Sequence, residues 1–125
     1  MSEAASGGIG TFDDRAASAL TSYMAVLEDV PEVADKPESF AVVSDSGKQY
    51  IVDRAAETCT CPDMLHRRPD GGCRHLRRVM YATGMTVIPG WVDRSAIDDQ
   101  LGQHLSASPR IATADGRTEV FDADA

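Results

Sequence analysis

The sequence predicts a small α+β protein in which a bound metal ion joins a β-hairpin, or a three-stranded sheet, to a short helix, with one further helix on each side. Two observations favour this fold class. Two runs of β-branched and aromatic residues flank Ser46-Gly47, as in a β-hairpin. All three cysteines and two of the three histidines then lie between residues 58 and 79. The length of 125 residues suits one domain.

The N-terminal part of the chain predicts one helix after a flexible end. Residues 1–12 are mostly small and polar, so we expect them to be flexible. The segment 13–38 predicts a helix over residues 13–28, with Thr11 or Asp13 as its cap, and two prolines make the rest a linker. The apolar residues at helical spacing are Ala16, Leu20, Tyr23, Met24 and Leu27.

Residues 39–84 predict the unit that the metal holds together. Two strands surround the turn in SFAVVSDSGKQYIVDR, and a third short strand carries ETCTC. Two prolines and the pair Gly71-Gly72 make residues 62–72 irregular. A helix over residues 74–83 follows and ends at Gly84.

The C-terminal part predicts an extension and a tail. Residues 85–105 contain an extended TVIPGWVD, whose Trp91 we expect to cover the metal-held unit, and SAID at 95–98 is a capping box for a short helix to about Leu101. Residues 106–125 predict an acidic, disordered tail, although the Asp-Gly pair in ATADGRTEV leaves a weak hairpin open as an alternative.

Charge and composition indicate where the protein works. The net charge is -8, with 14 Asp against 6 Glu and 10 Arg against 2 Lys. An Asp-rich, Lys-poor surface suits a salt-rich, halophilic cytoplasm, and an ordinary acidic protein is the alternative. The sequence has no apolar run near the length of a membrane span and no secretory leader, so we expect a cytoplasmic protein without membrane contact. Three clustered cysteines favour an intracellular metal site over disulfides.

The spacing of the cysteines and one histidine predicts the metal ligands. On a strand, Cys59 and Cys61 project to the same side. Cys73 and His75 can face that pair only if Cys73 precedes the first helical residue and His75 lies in the first turn. The result is a Cys3His set, which is typical of one structural Zn2+. Four protein ligands leave no open position, so we expect neither an enzyme nor a small-molecule substrate.

Three other interpretations of these residues stay open at the level of sequence. The cysteines can be small buried hydrophobic residues, Cys73 and His75 can be a nucleophile and its base, and His66 can replace His75 as the fourth ligand. The spacing of the four residues favours the metal site over the first, and the absence of an orienting third residue disfavours the second.

At these residues the sequence resembles the SWIM zinc-finger family, whose pattern is CxC, a variable gap and CxH. Here the pattern reads CTC at 59–61, eleven residues, and CRH at 73–75, and the match covers about residues 40–83. The whole chain is similar to small haloarchaeal SWIM proteins, whose extensions carry stretches like IPGWVD and QLGQH. The resemblance implies DNA or protein binding and no catalysis.

The arginines predict a contact surface. Residues 54–80 carry a net charge of +3, whereas the rest of the chain carries -11. On a helix that begins near residue 74, one face holds three arginines and a tyrosine, and a nearby loop adds two more arginines; the set is Arg67, Arg68, Arg74, Arg77, Arg78 and Tyr81. We expect this face to contact nucleic acid or an acidic protein partner. In the alternative, these arginines neutralise the thiolates and pair with nearby aspartates, and the protein is a structural subunit without nucleic-acid contact.

Overall fold

The computed structural model describes residues 12–122. These residues form a four-stranded antiparallel sheet, two short α-helices and a separate two-stranded hairpin. The helices and strands are α1 (Asp14–Thr21), β1 (Ala25–Leu27), β2 (Ser39–Val43), β3 (Gln49–Asp53), β4 (Thr58–Cys59), α2 (Arg74–Ala82), β5 (Arg110–Ala112) and β6 (Thr118–Val120). A π-helical turn at Asp63–Arg67 and a 3₁₀ turn at Arg94–Ala96 complete the list. The small α+β class is therefore confirmed. Most of the predicted flexible N-terminus, the candidate cap Thr11 and the last three residues of the predicted tail lie outside the described residues.

The predicted hairpin is the centre of the sheet. Strands β2 and β3 pair in register, with Phe40 opposite Val52 and Val42 opposite Tyr50. The strand order is β1-β2-β3-β4, so the predicted third strand is also present as β4. In the turn between β2 and β3, Gly47 has a φ of 85°, a conformation that glycine adopts without steric cost.

The predicted N-terminal helix is too long. Asp13 caps α1 as expected, because its side chain accepts a hydrogen bond from the Ala16 N–H, but the helix ends at Thr21. The chain then turns into β1, which pairs with β2. Met24 and Val26 are buried while Tyr23 is exposed. The alternation of a strand, with Met24 and Val26 buried, therefore replaces the helical spacing predicted from Tyr23, Met24 and Leu27.

Helix α2 lies between two clusters of buried residues. One side packs with the sheet around Phe40, Val52 and the three cysteines. The other side packs with α1 and the C-terminal segment, around Leu20, Ile88 and further apolar residues. The helix begins and ends as predicted, with Gly84 at a φ of 79° just after its end. Because both sides of α2 are covered, this nine-residue helix connects the whole fold.

The C-terminal segment is more ordered than the sequence indicates. The predicted capping box at 95–98 is wrong, because Asp93 caps a three-residue 3₁₀ turn instead of a helix. The Asp-Gly hairpin, which was the alternative to a disordered tail, is present as β5 and β6. It is anchored by Ile111 and Phe121, both buried. Trp91 does not cover the metal-held unit, since 71% of it is exposed.

Neither α1 nor α2 approaches the length and apolar character needed to cross a bilayer, and residues 12–122 contain no other candidate span.

Candidate metal centre

The four predicted ligands converge on one buried point between the sheet and α2. Cys59 ends β4, Cys61 follows it, Cys73 is the N-cap of α2 and His75 lies in the first turn of that helix. Their ligand atoms all lie within 4.8 Å of one another, and all four residues are buried. His66, the alternative fourth ligand, is exposed on the π-helical turn. The positions of Cys73 and His75 relative to the helix start are those that the sequence predicts.

The distances fit a tetrahedral metal ion. His75 Nδ1 lies 3.9 Å from Cys59 Sγ and 3.8 Å from Cys73 Sγ. Zinc bonds of ordinary length separate a sulfur and a nitrogen by about 3.6 Å and two sulfurs by about 3.8 Å. The Cys3His group can therefore hold a metal ion, with Nδ1 as the nitrogen ligand, and the donor set suits zinc. On its other side, His75 packs on Tyr50, with ring centroids 4.6 Å apart.

Backbone N–H groups support all three sulfurs. The backbone N–H groups of Cys61 and Met64 favour the thiolates of Cys59 and Cys61, and so oppose the rise in the pKa of these two cysteines. The N–H of Leu76 donates to Cys73 Sγ over 3.5 Å. Such hydrogen bonds stabilise thiolates over thiols. They were not predicted, although a cysteine at an N-cap and a CxC at a strand end are the local signals for them.

The three cysteine thiols differ in pKa. The hydrogen bond from the Cys59 thiol lowers the pKa of Cys73 to about 4, with smaller contributions from His75 and Leu76. The same hydrogen bond raises the pKa of Cys59, and burial raises the pKa of Cys61. Cys73 is therefore the cysteine that most readily forms a thiolate. A zinc ion requires all three sulfurs as thiolates, so its affinity should fall as the pH is lowered.

A glycine pair and one arginine shape the approach to Cys73. Gly71 and Gly72 have φ values of 82° and 93°, where residues with a Cβ are strained. A Cβ on Gly72 would also lie 2.6 Å from Leu76 Cδ2. The Arg77 side chain donates to the carbonyl oxygens of Gly72, at 2.8 Å, and Asp70, at 2.6 Å. Arg77 therefore fixes the loop against α2 and places Cys73 at the helix start.

The predicted contact face of α2 is not a surface. Arg77, Arg78 and Tyr81 are buried, so the prediction that they face solvent is wrong. The reason is α1, which packs on this side of α2. Arg77 Nη1 donates to Asp13 Oδ1 over 2.7 Å, so the N-cap of α1 is tied to this face. Arg77 pairs with Asp13 and Arg78 pairs with Asp98, as in the alternative interpretation in which the arginines pair with nearby aspartates.

Arg78 is the central polar side chain of the interior. It is 0% exposed, and its guanidinium donates to the carbonyl oxygens of Ala19, Ser22 and Met24 over 2.8–3.2 Å. The same guanidinium forms an ion pair with Asp98 at 2.5 Å. Burial lowers the pKa of Arg78, and Asp98 opposes that shift. The carbonyl oxygens at the end of α1 are thus satisfied by a side chain of α2.

The other three predicted contact residues are accessible. Arg67 is 76% exposed at the end of the π-helical turn, and Arg68, with a φ of 47°, is exposed beside it. Arg74, in the first turn of α2, is 34% exposed. These three side chains lie on or next to the elements that carry the metal ligands.

Arg15 also belongs to this neighbourhood and was not predicted. Its guanidinium grips Asp63 with two hydrogen bonds, of 2.8 and 2.9 Å, and so ties α1 to the π-helical turn. This contact lowers the pKa of Asp63. The two residues are 48 positions apart, and the sequence carries no local signal for their pairing.

Comparisons with known proteins found no match to this chain among family models, curated proteins or solved structures. The fold and the Cys3His group therefore stand on the structure alone. Membership of the SWIM family stays a prediction that depends on the order and spacing of the four ligands.

Proposed function

We propose that the protein is a SWIM-type zinc-finger module in which Cys59, Cys61, Cys73 and His75 hold one structural Zn2+. The observation that carries the proposal is the convergence of these four buried ligands at tetrahedral spacing. A zinc ion bound there supplies a fixed link between the sheet and α2. The N–H of Leu76, which donates to Cys73 Sγ, favours the charged thiolate that zinc requires.

The role we assign to this module is that of a non-catalytic adaptor that binds nucleic acid or a nucleic-acid-processing protein. Four protein ligands close the coordination sphere, so the site is built for structure and not for hydrolysis. Arg67, Arg68 and Arg74 are accessible cations beside the metal site on a chain with a net charge of -8. The nearest aspartate oxygens lie 3.5 Å from Arg67 and 3.6 Å from Arg74. Local positive charge is what contact with phosphates requires.

A second candidate is a structural, protein-interaction subunit without nucleic-acid contact. It is favoured by the internal use of Arg77 and Arg78, which removes two cations from the predicted contact face. Trp91 is exposed, and its ring meets that of Phe12 edge to face, with 4.8 Å between the ring centroids. Exposed aromatic side chains are more frequent at protein interfaces than on the rest of a protein surface.

Nucleic-acid binding by the zinc-loaded protein separates the two candidates. We expect labelled DNA to bind, and we expect the double substitution Arg67→Ala and Arg68→Ala to reduce the salt dependence of the binding constant by about 2 in log–log slope, because two phosphate contacts are lost. The matched control is Arg117→Ala, which removes an exposed arginine from the turn of the second hairpin. Fluorescence anisotropy over a series of KCl concentrations measures both. Binding that both variants leave equally unchanged would reject the nucleic-acid role of these arginines and favour the second candidate.

A further inference from the structure

A solvent-open cavity of about 320 Å³ adjoins the metal site, and two of the metal ligands, Cys73 and His75, line it. The first turns of α1, the π-helical turn and the N-terminus of α2 form its walls. Three arginines, one from each of these elements, line it: Arg15, Arg67 and Arg74. Its volume is at the lower end of the range for small-ligand cavities. Three guanidiniums converging on one space indicate an anionic ligand.

Only one of the three arginines is fully committed within the protein. Arg15 makes its two short hydrogen bonds to Asp63, which neutralises that carboxylate. Arg67 reaches Asp63 only at 3.5 Å. Arg74 lies 3.4 Å from Ser22 Oγ and 3.6 Å from Asp45 Oδ1. Charge-assisted hydrogen bonds are ordinarily about 2.7–2.9 Å long, so Arg67 and Arg74 keep donors that a ligand can engage.

The helices add to the positive character of the cavity. Arg74 and His75 form the first turn of the nine-residue α2, and Asp14 and Arg15 form the first turn of the eight-residue α1. A helix N-terminus carries partial positive charge, and its first N–H groups lack partners within the helix. In each of these two helices the capping side chain, Asp13 or Cys73, already accepts one of those N–H groups. Both helices therefore present to the cavity the end that favours an anion.

We propose that this cavity binds a phosphate group, held by the guanidiniums of Arg67 and Arg74, with the Arg15–Asp63 pair as its fixed wall. A guanidinium suits phosphate because it presents two parallel N–H groups that match two oxygens of the phosphate. Where the phosphate belongs to a nucleic-acid backbone, the inference rests on the proposed adaptor function; inorganic phosphate has the same chemistry. Asp14 and Cys73 line the cavity as well, and the negative charge of the Asp14 carboxylate and of the Cys73 thiolate opposes the ligand.

Inorganic phosphate and a short oligothymidylate without terminal phosphates are the two probes, each titrated by calorimetry into the zinc-loaded, full-length protein. We expect Arg67→Gln and Arg74→Gln each to weaken phosphate binding by about tenfold, the effect of one charge-assisted hydrogen bond. Asp14→Asn should strengthen it by about threefold, because a repelling charge near two helix N-termini is removed. Arg117→Gln, which removes an arginine that does not line the cavity, should change nothing.

The two arms distinguish the inference from the function on which it rests. Phosphate that does not bind, or that binds equally to Arg67→Gln, Arg74→Gln and Asp14→Asn with unchanged circular dichroism, overturns the inference. Oligothymidylate binding that ignores the cavity variants overturns it too, while the adaptor function stands. Phosphate binding that follows the variants without oligothymidylate binding supports the cavity and removes the nucleic-acid part of the function. An acidic peptide that binds the cavity more tightly than phosphate would overturn the inference in favour of a carboxylate partner.

Discussion

Removal of the metal ion is expected to abolish cooperative unfolding of this protein. Three of the four ligands belong to the cluster of buried residues between the sheet and α2, so an ion bound there would hold together the same elements as the core. Structural zinc in small fingers contributes about 10–16 kcal/mol of apparent binding free energy. The whole free energy of unfolding of a small domain is about 5–15 kcal/mol. Loss of the ion would therefore remove a free energy as large as the whole free energy of unfolding.

Circular dichroism and a thermal melt before and after chelation measure this effect, and added Zn2+ should restore both signals. His75→Ala should reproduce the effect of the chelator. The matched control is His66→Ala, which removes an exposed histidine of the same loop region and should leave the melt unchanged. A protein that keeps its melting curve after its zinc has been removed, or that depends on His66 and not on His75, would contradict this prediction.

The substitution Arg78→Ala is expected to lower the free energy of unfolding by about 3–5 kcal/mol, even with zinc bound. The guanidinium is fully buried, and its loss leaves Asp98, whose side chain is only 7% exposed, without its counter-ion. The N–H of Met24 still donates to this carboxylate. The carbonyl oxygens of Ala19, Ser22 and Met24 lose their donors as well. Buried groups left without partners carry their full desolvation cost.

Urea unfolding of the zinc-loaded variants measures this difference. Arg94→Ala is the control, because Arg94 and Glu119 form an ion pair of which both side chains are 54% exposed. Exposed pairs contribute only about 0–1 kcal/mol. Replacing both partners of the buried pair, with Arg78→Met and Asp98→Leu together, should cost less than Arg78→Ala alone, since no charge is then left unpaired. Equal, small effects of Arg78→Ala and Arg94→Ala would show that the buried pair does not stabilise the fold.

The metal site was the most predictable part of the molecule because its geometry is local. The two-residue alternation of a strand places Cys59 and Cys61 on one side, and the geometry of a helix start places Cys73 and His75 together. The hairpin around Gly47 was predictable for the same reason, since turn chemistry and strand pattern are adjacent in the chain. These features need only a few neighbouring residues each.

The errors concern contacts between distant segments. From the sequence alone, the helical face with Arg77 and Arg78 is indistinguishable from a solvent-exposed surface. In the structure, α1, some fifty residues earlier in the chain, packs on this face. Arg78 contacts Ser22 and Asp98, which are 56 and 20 positions away. The end of α1 was misjudged because Tyr23, Met24 and Leu27 continue the helical spacing, whereas Met24 and Val26 fit the alternation of a strand. Pairing with β2 decides between the two patterns. Long-range pairing leaves no periodic signal in a single sequence.

X-ray absorption at the zinc edge of protein purified without added metal tests the central claim most directly. We predict one zinc per chain, with three sulfur ligands at about 2.3 Å and one nitrogen ligand at about 2.0–2.1 Å. Replacing Cys73 by serine, at the N-cap of α2, should remove one of the three sulfurs from the spectrum. A correctly folded protein that carries no zinc, or a zinc shell made mainly of oxygen and nitrogen ligands, would contradict the assignment of this site.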